Sequence, residues 1–197
     1  MGKIFIIMGK SASGKDTIYS RIIDEQAQCL KKCVIYTTRP MRMGEVDGKE
    51  YFFVDENKLN ELKAQGKVIE HRTYNTAFGP WHYFTVNDGQ FDDDRDCLMP
   101  GTLESFCEIK KYFEDGRVVP IYVHVDDYER LLRALERERS QNNPGYVEMC
   151  RRFVADSQDF SEENIKKAGI VKMFVNDDLD RCIKEIIEFI NQERKKL

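Results

Sequence analysis

The chain opens with its most restrictive feature: Ile4-Phe5-Ile6-Ile7-Met8 runs straight into Gly9-Lys10-Ser11-Ala12-Ser13-Gly14-Lys15-Asp16-Thr17. A continuous apolar run of this kind reads as a strand buried on both faces, the situation of a parallel sheet covered by helices on each side. The rest of the 197 residues repeats the alternation. Candidate core strands are Lys3 to Met8, Cys33 to Thr37, Cys97 to Met99, Val118 to Val125 and Ile170 to Val175. Candidate helices run from Lys15 to about Cys29, Thr102 to about Glu114, Tyr128 to about Arg139, Tyr146 to about Asp159, and Asp178 to the C-terminus. This order predicts one α/β unit with a five-stranded parallel sheet flanked by helices. Pro120 sits awkwardly in it, because proline removes a ladder hydrogen bond from a central strand.

Two stretches break the alternation. Residues 38–86 carry short aromatic strands (Tyr51 to Val54, Val68 to Glu70, Tyr83 to Val86) around one helix that Asp55 could cap, which predicts a small mixed α/β insertion. Residues 126–160 read as two charged helices joined by Gln141-Asn142-Asn143-Pro144-Gly145, a helical flap. The core is then residues 1–37, 87–125 and 161–197.

The segment from Gly9 to Thr17 fits G-x-x-x-x-G-K, with Asp16 where Ser or Thr is usual. Its glycines let successive N–H groups curl around a phosphate at a helix N-terminus, and Lys15 adds a point charge. Gly9, Lys10, Ser11, Ala12, Ser13, Gly14, Lys15, Asp16 and Thr17 are thus candidate ATP-binding residues. Asp16 could hold Mg²⁺ directly or through water as a hard oxygen ligand, Thr17 could supply the hydroxyl instead, or Asp16 could simply complement the helix dipole.

A second anion site is suggested by Thr37-Thr38-Arg39-Pro40-Met41-Arg42-Met43-Gly44-Glu45, followed by Gly48 and Tyr51. Two arginines and a tyrosine hydroxyl suit a phosphate-bearing acceptor. This run resembles the TTR-x-x-R-x-GE-x-x-G-x-x-Y signature of guanylate kinases. The similarity continues in Gly66-Lys67-Val68-Ile69-Glu70 and in Val175-Asn176-Asp177-Asp178-Leu179. The resemblance implies a P-loop kinase core, an acceptor-binding insertion and an arginine-bearing lid, working with ATP and Mg²⁺ on a nucleoside monophosphate such as GMP. It also implies that Arg39, Arg42, Tyr51, Glu70 and Phe78 bind the acceptor, with Glu70 accepting from guanine. By the same resemblance Asn176 lies near the adenine, and Lys15, Arg133, Arg137 and Arg152 reach the transferring phosphoryl group.

The chain departs from that pattern where the acceptor would sit. Ile35 and Tyr36 stand where a hydroxyl residue is common, Phe78-Gly79-Pro80 replaces Tyr-Gly-Ser/Thr, and Cys97-Leu98-Met99-Pro100-Gly101-Thr102 lacks the acidic pair of an LDID-like strand end. Two alternatives follow: a kinase for another phosphorylated acceptor such as a ribose bisphosphate, similar small kinases having a G-K-D-T loop ending, or a non-catalytic guanylate-kinase-like binding module.

A formal charge of -4 argues against general affinity for nucleic acid or anionic membrane, so anions must be caught locally. From Tyr112 to Asn164 there is no lysine, yet half of the chain's arginines fall there, a choice that suits bidentate contact with phosphate. The cysteines Cys29, Cys33, Cys97, Cys107, Cys150 and Cys182 are scattered without C-x-x-C pairing, and no export signal opens the chain, which predicts reduced thiols, no zinc site and a cytoplasmic protein.

Overall fold

The computed structural model describes residues 1–76, 79–114 and 116–196. In chain order the elements are β1 (Ile4–Met8), α1 (Lys15–Glu25), β2 (Leu30–Lys32), β3 (Tyr36–Thr37), β4 (Phe52–Phe53), α2 (Glu56–Ala64), β5 (Val68–Thr76) and β6 (Gly79–Val86). They continue as β7 (Asp96–Pro100), α3 (Leu103–Tyr112), β8 (Val118–His124), α4 (Asp127–Arg139), α5 (Tyr146–Asp159), α6 (Glu162–Lys167), β9 (Met173–Val175) and α7 (Leu179–Arg194).

The main sheet has the order β2-β7-β1-β8-β9, with every pair parallel. Its centre is β1, whose five residues are all buried, as the apolar run requires. One face packs Ile4, Ile6 and Met8 against Phe106, Ile109 and Phe160. The other packs Phe5 and Ile7 against Ile18 and Ile22 of α1 and the Ile183, Ile186 and Ile190 stripe of α7. Pro120 causes no loss. The Asn176 N–H donates to His124 O, so by strand alternation the even-numbered residues of β8 face β9, and Pro120 precedes the first β8–β9 pair, which is Tyr122 with Met173.

A second sheet, ordered β4-β3-β6-β5, pairs β3 with β4 in parallel and β6 antiparallel to both β3 and β5. Leu59 and Leu62 of α2 pack on Phe84 and Val86 of this sheet, and Asp55 caps α2 by accepting from Lys58 N–H at 2.8 Å.

The structure corrects the expectation for Cys33 to Thr37. The edge strand of the main sheet is Leu30–Lys32, paired with Asp96, Cys97 and Leu98, while Tyr36–Thr37 turn away to join the second sheet opposite Phe84 and Tyr83. An apolar run does not say which of two sheets it enters, and here the aromatic contacts of Tyr36 with Phe52 and Phe84 accompany the second. Helix α1 ends at Glu25 rather than Cys29, the last core strand shortens to Met173–Val175, and α6 was not anticipated. Among the described residues no helix is long and apolar enough to cross a membrane.

Candidate active site

The phosphate loop leaves β1 and curls by left-handed backbone at two positions, Ala12 (φ 61°) and Gly14 (φ 82°). Alternating left-handed residues aim successive N–H groups inward and form an anion-binding concavity. At Gly14 glycine is also required by space, since a Cβ would lie 2.4 Å from Asn176 Nδ2. Ala12 bears a Cβ in a region such residues rarely occupy, strain of a kind that collects at functional sites.

Three outside groups hold the loop. Asn176, buried, donates its side-chain amide to Ser13 O at 2.8 Å, so that amide is spent on the loop rather than presented to a base. The Asp156 carboxylate of α5 accepts from Ser11 N–H at 2.7 Å. Arg130 of α4, wholly buried, donates from Nη1 to Ser11 O at 2.9 Å and through Nε and Nη2 to Asp127 Oδ1, with its guanidinium over the Phe153 ring at 4.4 Å. Lys10 Nζ meets the same Asp127 at 3.2 Å. The sequence reading passed over Arg130 and Asp156; the one available signal was the Asp127/Arg130 spacing of three on a helix.

Lys15 Nζ pairs with the largely exposed Asp16 carboxylate at 2.6 Å, and Thr17 is exposed at the start of α1. The fit of this corner to Mg²⁺ follows from its donors. Among the described residues no group of three His, Cys, Asp or Glu could cage a metal. A single exposed carboxylate beside a phosphate cradle instead suits an ion carried in by a nucleotide, since Mg²⁺ keeps most of its water and takes one or two protein oxygens plus phosphates.

Two residues beyond β3, Arg39 is buried and forms a bidentate pair with Glu45, Nη2–Oε1 2.7 Å and Nη1–Oε2 3.0 Å. Its guanidinium lies over Tyr51 and Phe53 at 5.4 and 5.5 Å. Glu45 also accepts from Arg42 N–H, and the Arg39 guanidinium holds its carboxyl below the usual range. The Arg42 side chain is exposed. Burial pushes the Tyr51 hydroxyl up, and the neighbouring Tyr83 adds to this.

Glu70 lies deeper, its side chain almost fully buried, accepting from Thr85 Oγ1 at 2.7 Å and from Arg72 Nε at 3.0 Å. Residues two apart on a strand share a face, so Glu70 and Arg72 point the same way from β5. Arg72 Nη1 reaches Thr102 Oγ1 at 3.3 Å, the N-cap of α3. Arg72 was likewise passed over, although the Glu70-His71-Arg72 alternation could have found it. Phe78 lies outside the described residues.

The helical arginines stand apart from this network. Arg133 Nη2 donates to Asn176 O at 3.1 Å, Arg137 is exposed, and Arg152 forms an exposed pair with Glu148, which also holds Arg151. Exposed pairs of this sort contribute at most about 1 kcal/mol, so Arg152 is released at little cost. All six cysteines are free thiols, Cys33 and Cys97 being buried and the Cys33 thiol donating to Gln90 O at 3.9 Å.

Comparison with known proteins agrees in sequence and in fold. A family model described as guanylate kinase matches residues 1–193. A guanylate kinase of Syntrophomonas wolfei is 31% identical over 198 residues, covering 100% of this chain and 95% of that protein. The guanylate kinase of Homo sapiens is 30% identical over 97% of this chain and 93% of its own length. A crystal structure of guanylate kinase from Anaplasma phagocytophilum superposes with a TM-score of 0.67 at 20% identity, covering 99% of this chain and 87% of that one, a likeness of fold. With the family model spanning nearly the whole sequence, the chain belongs to the guanylate kinase family.

Proposed function

We propose that this protein transfers the γ-phosphoryl group of ATP to GMP. The observation that carries the reading is that one chain holds two corners suited to phosphate: the left-handed loop with Lys15, and the group of Arg39, Arg42 and Tyr51 in which the Arg39 guanidinium lies over the Tyr51 ring. In this reading residues 38–86 form the acceptor-binding insertion, joined by Tyr36–Thr37 through their pairing, residues 126–160 form the lid, and the remainder is the core.

The chemistry asks for positioning rather than for a base. The second ionisation of a phosphate monoester falls near pH 6, so an acceptor phosphate oxygen is already a nucleophile at neutral pH. That oxygen forms a bond to the γ-phosphorus, the bond from the γ-phosphorus to the bridging oxygen breaks, and the products are ADP and GDP. The loop amides and Lys15 hold the β- and γ-phosphates, while Arg39, Arg42 and Tyr51 hold the acceptor phosphate in line. Glu70 accepts from guanine N1–H and N2–H. Arg133, Arg137 and Arg152 add positive charge around the transferring group when the lid closes, and closure excludes water. Asp16 and Thr17 would hold Mg²⁺ together with the nucleotide, and the ion would supply positive charge beside the phosphates. The protein works on small molecules rather than on nucleic acid or membrane, in a reducing cytoplasm where its free thiols persist.

The family match and the relatives favour this acceptor over a ribose bisphosphate and over a module without catalysis. The test is ATP consumption with Mg²⁺ against a panel of GMP, other nucleoside monophosphates and a ribose bisphosphate. GMP is expected to lead the panel, and preference for another acceptor would overturn the reading.

A further inference from the structure

Resting on that reading of the acceptor, we infer that Arg72 is a specificity-determining residue that donates to the guanine O6 edge while Glu70 accepts from N1–H and N2–H. Guanine presents two donors beside one acceptor along this edge. A carboxylate alone answers only the donors.

The neighbouring residues leave the acceptor unanswered. Thr85 spends its hydroxyl on Glu70 Oε1. Thr102 Oγ1 accepts from Ser105 N–H at 3.2 Å as the cap of α3. Among the described residues, Arg72 is the cation bonded to Glu70. Its bonds to Glu70 and Thr102 leave guanidinium hydrogens over, and the Nη2–Glu70 Oε1 and Nη1–Thr102 Oγ1 distances, 3.4 and 3.3 Å, are long for charge-assisted bonds. The planar fork of arginine matches guanine O6 and N7, a pairing that discriminates between bases. With its Nε fixed on Glu70 Oε2, the guanidinium is pre-oriented, so little rotamer freedom is lost when the base arrives.

The experiment compares kcat/KM for GMP with that for 6-thioguanosine 5′-monophosphate, which keeps N1–H and N2–H and replaces O6 by a weakly accepting sulfur. The unaltered protein is expected to prefer GMP by about tenfold or more. In Arg72→Met the ratio is expected to fall to about threefold or less, with Arg72→Lys in between, because an ammonium cannot serve Glu70 and O6 through one fork. A merely structural role would lower both substrates by one factor and leave the ratio unmoved, and that result would overturn the inference. So would an unaltered protein indifferent to the sulfur. If Arg72→Met does not fold with Glu70 left buried, Arg72→Lys carries the same ratio test. Absence of GMP turnover in the unaltered protein removes the reading of the acceptor itself, whereas GMP turnover with an unchanged ratio in the variants removes only the role of Arg72.

Discussion

Arg130 Nη1 donates to the carbonyl of Ser11 at 2.9 Å, and this bond joins helix α4 directly to the backbone of the phosphate loop. The carbonyls of a loop whose amides converge on an anion point outward and need partners there. Arg130 supplies one, and Asp156 fixes the amide of the same residue from the second helix.

Removing Arg130 should therefore loosen the loop as well as the helix. Arg130→Met leaves Ser11 O and the Asp156 carboxylate without their cation, and is expected to cost about 2–3 kcal/mol of stability, the lower end for a buried pair because Asp127 is half exposed. The KM for ATP should rise severalfold, with the KM for GMP little changed. Denaturant melts and steady-state kinetics check both, and equal effects on the two substrates would contradict the direct tie to the loop.

How much of this was legible beforehand depends on the kind of residue. The loop, the five-stranded sheet and the α7 stripe follow from local spacing and apolar period, signals that a few neighbouring residues carry. The edge strand was misplaced because Leu30-Lys31-Lys32 carries little apolar signal while Val34-Ile35-Tyr36 carries much, yet pairing with Asp96 to Leu98 is a long-range fact. Arg72 and Arg130 were missed for a related reason: a buried arginine looks like any surface charge until its carboxylate partner is found, and at Arg130 part of that partnership, Asp156, lies on another helix. Glu70 was found through resemblance alone, and nothing in its local sequence announces that Thr85 and Arg72 enclose it.

Lys15 is expected to act on the reacting phosphates rather than on the acceptor. Lys15→Ala should reduce kcat by about 100-fold or more, the scale of losing one charged donor at a developing charge, with GMP binding within about twofold of the original. Comparable turnover in that variant would remove Lys15 from the mechanism.

Asp16 contacts Lys15 at 2.6 Å, and under the proposed metal role its carboxylate would exchange this partner for the ion when the nucleotide binds. Asp16→Asn keeps an oxygen but loses the charge. The Mg²⁺ concentration for half-maximal turnover should rise severalfold in this variant, while the protein's melting temperature stays within about 2 °C because the pair is exposed. An unchanged Mg²⁺ requirement would leave Asp16 with only its place in the first turn of α1.

The thiols divide by burial, and the division fixes an alkaline limit. Cys29, Cys107 and Cys150 are exposed, whereas Cys33, Cys97 and Cys182 are buried. Burial pushes the Cys182 thiol up to about 11. In an unfolded chain this thiol ionises near pH 8.5, so above that pH the unfolded state gives up a proton that the folded state keeps. The contribution of Cys182 to stability is thus complete below about pH 8.5 and lost as pH rises toward 11. Burial raises the Tyr51 and Tyr122 hydroxyls in the same direction, so Cys182→Ala should flatten part of the alkaline fall in melting temperature and leave the rest. At pH 8 a thiol reagent should label Cys29, Cys107 and Cys150 in the folded protein and reach the other three only on unfolding; rapid labelling of Cys182 in the native state would contradict its place on the buried face of α7.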